Sequence, residues 1–273
     1  MPSLLFWVKL KRRLGIMNFW TDKVVFLTGA SSGIGEALAV EIAKRGAILG
    51  LLARREELLK ELAEKCEAVG GKARVFACDV VDAEAVQKAA DALREEFGRI
   101  DILIANAGIG GNDKETRELQ PEFVKKVIDI NLMGAVNSVY AVLPQMLERK
   151  SGQLVAISSL AGFRGLPKSA AYSASKGAMT NLFESIRLDI QKKSVAVTII
   201  QPGFIRTPLT SGRANKMPFL MELEDAIPHF IKAIEKRKRF AAFPWQLATF
   251  VRLGRIFPAW LYDKIASGAK YRE

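Results

Sequence analysis

The feature that most constrains this chain is a strand that runs straight into a glycine-rich turn and then a helix. Lys23 to Thr28 (KVVFLT) is apolar and β-branched, the composition of a buried strand. Gly29-Ala30-Ser31-Ser32-Gly33-Ile34-Gly35 follows at once, and the pattern from Glu36 to Arg45 is helical. Glycines let a backbone turn tightly and approach a phosphate. The helix start behind them offers unpaired N–H groups and the positive end of a dipole. The spacing, G-x-x-x-G-x-G, is one residue longer than the common dinucleotide fingerprint. The strand before it and the helix after it make a pyrophosphate site the natural reading.

The strand–helix alternation then repeats. Ala47 to Ala53 is a second strand, followed by helix 55–69. Lys72 to Cys78 is a third strand, closed by Asp79-Val80 and followed by helix 82–97. Ile100 to Ala105 is a fourth, running into Asn106-Ala107-Gly108. A long helical stretch, 120–149, contains Asn131, with Pro144 as a possible kink. Gln153 to Ser158, helix 170–192, Val195 to Gln201, helix 222–237 and a short strand at 240–243 complete the series. Residues 208–221 have no clear period and read as a loop. This order implies an α/β fold with a parallel sheet and right-handed crossovers. No linker or composition break interrupts it, so 21–243 reads as one domain, with an extension at 1–20 and a tail at 244–273.

Two positions carry chemistry. The second strand ends in Arg54-Arg55, where an acid would hold the ribose 2′-hydroxyl of NAD. Two arginines can pair instead with a 2′-phosphate, so NADP(H) is the preferred cofactor and NAD(H) the alternative. Ala171-Tyr172-Ser173-Ala174-Ser175-Lys176 sets Tyr172 and Lys176 four apart, on one helix face. A lysine ammonium nearby favours the phenolate of a tyrosine, which makes a proton donor usable near neutral pH.

The formal net charge of +12 suggests a nucleic-acid binder until it is located. Residues 1–20 hold four basic and no acidic residues, and 236–273 hold nine basic and two acidic, so the body is nearly neutral. All four tryptophans, Trp7, Trp20, Trp245 and Trp260, lie in the same two ends. No nucleic-acid motif accompanies the charge. Two cysteines, Cys66 and Cys78, are too few for a disulfide framework and are not spaced for a metal. A reducing, cytoplasmic setting follows. No apolar run reaches the ~18 residues of a membrane-spanning helix.

Taken together, the motifs resemble the short-chain dehydrogenase/reductase family over roughly 21–243. The matching pieces are Thr28 to Gly35, Asp79-Val80, Asn106-Ala107-Gly108, Asn131, Ser158-Ser159, Tyr172 to Lys176 and Pro202-Gly203. The resemblance implies a single-domain Rossmann fold with a seven-stranded doubly wound sheet in the order 3-2-1-4-5-6-7. It implies Tyr172 as acid/base, Lys176 as its partner and a nicotinamide-ribose contact, and Asn131 as holder of a water relay. The family serine lies thirteen residues before the tyrosine, which selects Ser159 over Ser158. Gly29, Ser31, Ser32, Gly33, Ile34 and Gly35 match the phosphate turn. Asp79 and Val80 match adenine contacts, and Asn106, Ala107 and Gly108 the adenosine-ribose segment. Pro202, Gly203, Ile205 and Thr207 match the nicotinamide side. The implied reaction is hydride transfer between a carbonyl and a secondary alcohol, with a dimer or tetramer as the usual assembly. A non-catalytic cofactor-sensing protein is the competing reading, against which the intact Asn131, Ser159, Tyr172 and Lys176 set argues.

The tails remain. Leu4 to Val8 beside Lys9, Lys11, Arg12 and Arg13 either lies on a membrane surface or precedes a true start at Met17. Residues 245–256 read as a short helix, broken at Pro258, with a further turn at Trp260-Leu261-Tyr262. Aromatic and basic residues together suit a membrane interface, and then a lipophilic substrate. Cover of the substrate cleft and a subunit contact are the alternatives. Phe219, Leu220 and Met221 read as a cap on the cleft. His229 reads as a partly buried helix residue, Cys78 as inert core, and Arg164 and Lys168 as a solvated loop.

Overall fold

The computed structural model describes residues 18–110, 119–211 and 217–268. The readings made for 1–17, including the alternative start at Met17, lie outside these, as do 212–216 of the loop and the last five residues.

Strands β1 (Val24–Thr28), β2 (Ile48–Ala53), β3 (Lys72–Ala77), β4 (Ile102–Ala105), β5 (Gly152–Ile157), β6 (Val195–Pro202) and β7 (Phe240–Phe243) form one sheet. Its order is β3-β2-β1-β4-β5-β6-β7, and every pairing is parallel. Covered on both faces, the inner strands β1 and β4 are buried throughout and almost wholly apolar, as such sheets require. Helices α1 (Gly33–Ala43), α2 (Glu56–Ala68) and α7 (Leu223–Glu235) cover one face. Helices α3 (Ala83–Phe97), α5 (Gly134–Glu148) and α6 (Ala170–Ile190) cover the other. Two further helices, α8 (Trp245–Ile256) and α9 (Ala259–Gly268), follow β7.

The stretch read as one helix at 120–149 is three pieces. Helix α4 (Pro121–Ile128) passes into a wide-turn segment, Asp129–Met133, before α5 begins. In that segment Gly134 N–H reaches back five residues to Asp129 O, a bulge of the kind that gathers at functional sites. Asn131 lies inside it, fully buried. The same stretch has an 18-residue window of mean hydropathy 1.4, long and apolar enough to cross a membrane. It contains no unbroken apolar run, because Asp129, Asn131 and Asn137 interrupt it. It packs in the core, with Ser138, Val142 and Met146 buried.

The basic run that follows α7 and the α8–α9 pair lie at different edges of the sheet. Trp20 is fully buried and donates from Nε1 to Glu235 Oε1 at 2.8 Å. That contact holds the entry to β1 beside the end of α7, next to Lys236-Arg237-Lys238-Arg239. This is the edge where the parallel strands begin. The α8–α9 pair leaves from the opposite edge, where they end. There the strand order reverses between β1 and β4, which opens a crevice at the strand C-termini.

Candidate active site

Two cavities meet at the strand C-termini. The first is a groove of about 500 Å³ across β1, β2, β4 and β5. Every residue singled out above for the cofactor lines it, except Gly35. Gly35 is buried, and a Cβ there would collide with Gly29 O and Asn106 Nδ2. Its work is to let α1 close onto the turn. Gly29 has φ +67°, and a Cβ on it would lie 2.6 Å from Ala107 Cα. The turn and the β4 loop therefore touch backbone to backbone. Asn106 ties them, donating from Nδ2 to Thr28 O and Gly29 O at 3.0 Å each.

At the far end of the groove Arg55 donates to Ser31 Oγ and Ser32 Oγ, both at 2.9 Å. Arg54 lies 3.7 Å from Asp79. The two arginines have different partners: one faces the hydroxyls of the glycine turn, the other the β3 carboxylate. Cys78, read as inert core, is half-buried and lines the groove. Burial pushes its thiol up to about 11.

The second cavity is an apolar chamber of about 170 Å³ beside the groove. Leu160, Phe204, Leu209, Leu247, Phe250 and Val251 are among its walls. The α8 stripe Leu247, Val251 and Gly254 faces inward, so the tail closes the chamber. Met217, Pro218 and Leu209 of the loop line it too, whereas Phe219 is exposed. Ser159 and Tyr172 line both cavities.

The structure separates the two serines. Ser158 Oγ lies 2.9 Å from Lys176 O and 2.8 Å from Thr180 Oγ1, a structural lock. Ser159 Oγ accepts from Ala161 N–H at 3.1 Å and keeps its own hydrogen to donate. The one-turn helix after it, Leu160–Gly162, presses on α6. A Cβ on Gly162 would lie 2.8 Å from Gly177 N and 2.8 Å from Lys176 C.

Lys176 is 4 % exposed. Its Nζ donates to Ile157 O at 2.8 Å and sits 5.9 Å from the Tyr172 ring centre. Burial pulls its pKa down to about 8. The Asn131 side chain is committed: Oδ1 accepts from Ile109 N–H at 2.7 Å, and Nδ2 donates to Ile109 O and Ser175 Oγ. Ser175 in turn donates to Tyr172 O. Asn131 thus pins the β4 loop to the helix that carries the tyrosine. A part in a water relay would fall to its main chain.

Two minor readings change. His229 is exposed and stacks on Phe243, ring centres 4.9 Å apart. Arg164 is no solvated loop residue: it lines the chamber and binds the tail. Nothing in the local sequence marked it, because its partners lie 90 and more residues away. The inward stripe of α8 was legible as an i, i+4, i+7 pattern.

Fold and groove define a dinucleotide-binding α/β oxidoreductase. Residues 23–218 match the short chain dehydrogenase family, and the chain belongs to it. An uncharacterized oxidoreductase of Myxococcus xanthus (strain DK1622) is 43% identical over 244 residues, covering 89% of this chain and 96% of that one. A 3beta-hydroxysteroid dehydrogenase of Mediterraneibacter gnavus is 36% identical over 198 residues, covering 71% of this chain and 70% of its own. The crystal structure of a short chain dehydrogenase from Mycobacterium paratuberculosis, bound to NAD, superimposes with a TM-score of 0.75 at 28% identity, covering 82% of this chain and 96% of the other. The chain is an NAD(P)-dependent oxidoreductase acting on CH–OH or C=O groups.

Burying a lysine charge opposes folding while the amine is protonated in both states. Between about pH 8 and its ordinary value the native amine is neutral and the unfolded one charged, so the cost fades as the pH rises. Lys176→Met is therefore expected to be about 1–3 kcal/mol more stable than the parent at pH 7. That advantage should shrink towards pH 10, and the variant should lose turnover. Urea denaturation at both pH values checks this; a variant less stable at pH 7 would contradict it.

Proposed function

We propose that the chain interconverts a lipophilic ketone and its secondary alcohol with NADP(H), using Ser159, Tyr172 and Lys176 under the support of Asn131. The observation that carries this is that Ser159 and Tyr172 line both the polar groove and the apolar chamber. A carbonyl oxygen held by these two would put its carbon where the cavities join. The bound cofactor would supply hydride from the nicotinamide C4. As charge grows on the carbonyl oxygen, the Ser159 and Tyr172 hydroxyls donate to it, a small preorganised oxyanion site. Tyr172 then gives up its proton, and the buried Lys176 ammonium steadies the phenolate. In the chamber, Thr210 Oγ1 is spent on Ile205 O at 2.7 Å, and Arg164 on the tail. What remains is an apolar surface suited to a hydrocarbon body.

The Arg55 fork over Ser31 and Ser32 supports the NADP(H) preference, since guanidinium and two hydroxyls suit a 2′-phosphate. Ile205 and Thr207 line the same groove. NADPH is expected to bind roughly tenfold more tightly than NADH, with the difference lost in Arg55→Ala. Tyr172→Phe should lower kcat by about 10²-fold or more without weakening NADPH binding. Fluorescence titration and NADPH oxidation with an aryl ketone measure both. Equal affinities in the parent would sink the NADP(H) reading, and an active Tyr172→Phe would sink the mechanism.

The outer side of the tail favours a second role. Trp245, Ile256 and Trp260 stay 72%, 78% and 69% exposed, on helices that also carry Arg252 and Arg255. That composition suits contact with an anionic lipid surface. Co-sedimentation with phosphatidylserine vesicles is expected, and should be lost in the Trp245→Ala, Trp260→Ala double variant. No sedimentation of the parent would refute it.

A further inference from the structure

The chamber is closed by a contact that the chemistry itself does not use. Arg164 lies in the loop between the turn that follows Ser159 and helix α6. Its Nη1 donates to Gly254 O at 2.8 Å and to Phe257 O at 3.2 Å. These carbonyls belong to the end of α8, where main-chain oxygens lack helical partners. The same guanidinium lies over the Tyr262 ring, 3.8 Å from its centre. Tyr262 Oη donates back to Gly165 O at 2.6 Å. One short segment, Arg164-Gly165, thus grips both α8 and α9. The first half of α8 is held separately, by the small apolar cluster of Leu160, Leu247 and Ala248.

We infer that Arg164 and Tyr262 form a latch that fixes how far the α8–α9 pair closes over the chamber, and so sets the largest ketone the site accepts. This rests on the carbonyl–alcohol reading above. The chamber holds about 170 Å³ with the latch made, and a dry cavity of about 150 Å³ takes one benzene ring. A single-ring ketone fits under the closed pair. A fused-ring ketone would press on the Gly254, Phe257 and Ile265 part of the wall, and the contacts resisting movement there are those of Arg164 and Tyr262. Arg164 is a positioning residue, acting on the substrate through the wall it holds.

The test compares acetophenone with 2-acetylnaphthalene, using NADPH and the full chain. In Arg164→Ala the KM for 2-acetylnaphthalene should fall roughly fivefold relative to that for acetophenone, the factor expected from releasing about one net hydrogen bond. The kcat values should move much less. Tyr262→Phe, which loses only the hydroxyl, should shift the ratio the same way by a smaller factor, and it guards against misfolding of the first variant. Two readouts need no turnover. Tryptic cleavage after Arg252 and Arg255 should accelerate in Arg164→Ala. The neutral naphthyl ketone dye 6-propionyl-2-dimethylaminonaphthalene should bind it more tightly. If KM ratio, cleavage and dye binding all match the parent, the latch is overturned, whatever the enzyme reduces. If neither ketone is reduced but cleavage and dye binding shift as stated, the latch stands and the carbonyl–alcohol reading falls.

Discussion

The site depends on one backbone-to-backbone contact. At Gly162 the turn after Ser159 lies so close to α6 that a Cβ would sit 2.8 Å from Gly177 N. Two segments that close cannot slide independently. Ser159 leaves β5, Tyr172 and Lys176 ride on α6, and this contact fixes the three relative to one another. Ser158 reinforces it through Lys176 O and Thr180 Oγ1. The buried Lys176 is tolerated because Ile157 O, at the end of the same strand, accepts from it at 2.8 Å. The cost of hiding that charge is spent on chemistry, as strained or desolvated groups at functional sites commonly are.

The same edge of the sheet explains why the two cavities adjoin. Parallel strands end together, so their loops gather at one edge, and reversal of strand order parts them there. The glycine turn, the β4 loop and the β5 serine line the groove. The β6 loop and the tail line the chamber. Ser159 and Tyr172 stand on the line between them. A polar half with arginines at its far end and an apolar half roofed by α8–α9 give the site two unlike ends.

Much of this was legible in the sequence, and for identifiable reasons. Inner strands such as Val24–Thr28 and Ile102–Ala105 are buried on both faces, so they read as nearly unbroken apolar runs. The residues of the groove are short motifs fixed to strand ends, where local order predicts location. Illegible were the features that depend on distant partners. The wide turn at Asp129–Met133 leaves no mark in an apolar period and shows only as Asn131 reaching Ile109 and Ser175. Arg164 looked solvated because Gly254, Phe257 and Tyr262 lie far along the chain. The charge of the tail looked continuous with its aromatics, yet β7 carries the chain across the sheet between Arg239 and Trp245. Lys236 to Arg239 therefore fall beside Trp20 at one edge, and Trp245 and Trp260, with Arg252 and Arg255, at the other.

The most direct measurement follows the hydride. Reduction of acetophenone would be run with each of the two NADPH epimers deuterated at C4, and the 1-phenylethanol analysed by mass spectrometry. A groove that holds the cofactor in one orientation against Ser159 and Tyr172 predicts deuterium at the carbinol carbon from one epimer and essentially none from the other. Equal transfer from both, or NADPH consumption with no deuterium at that carbon, would contradict the account.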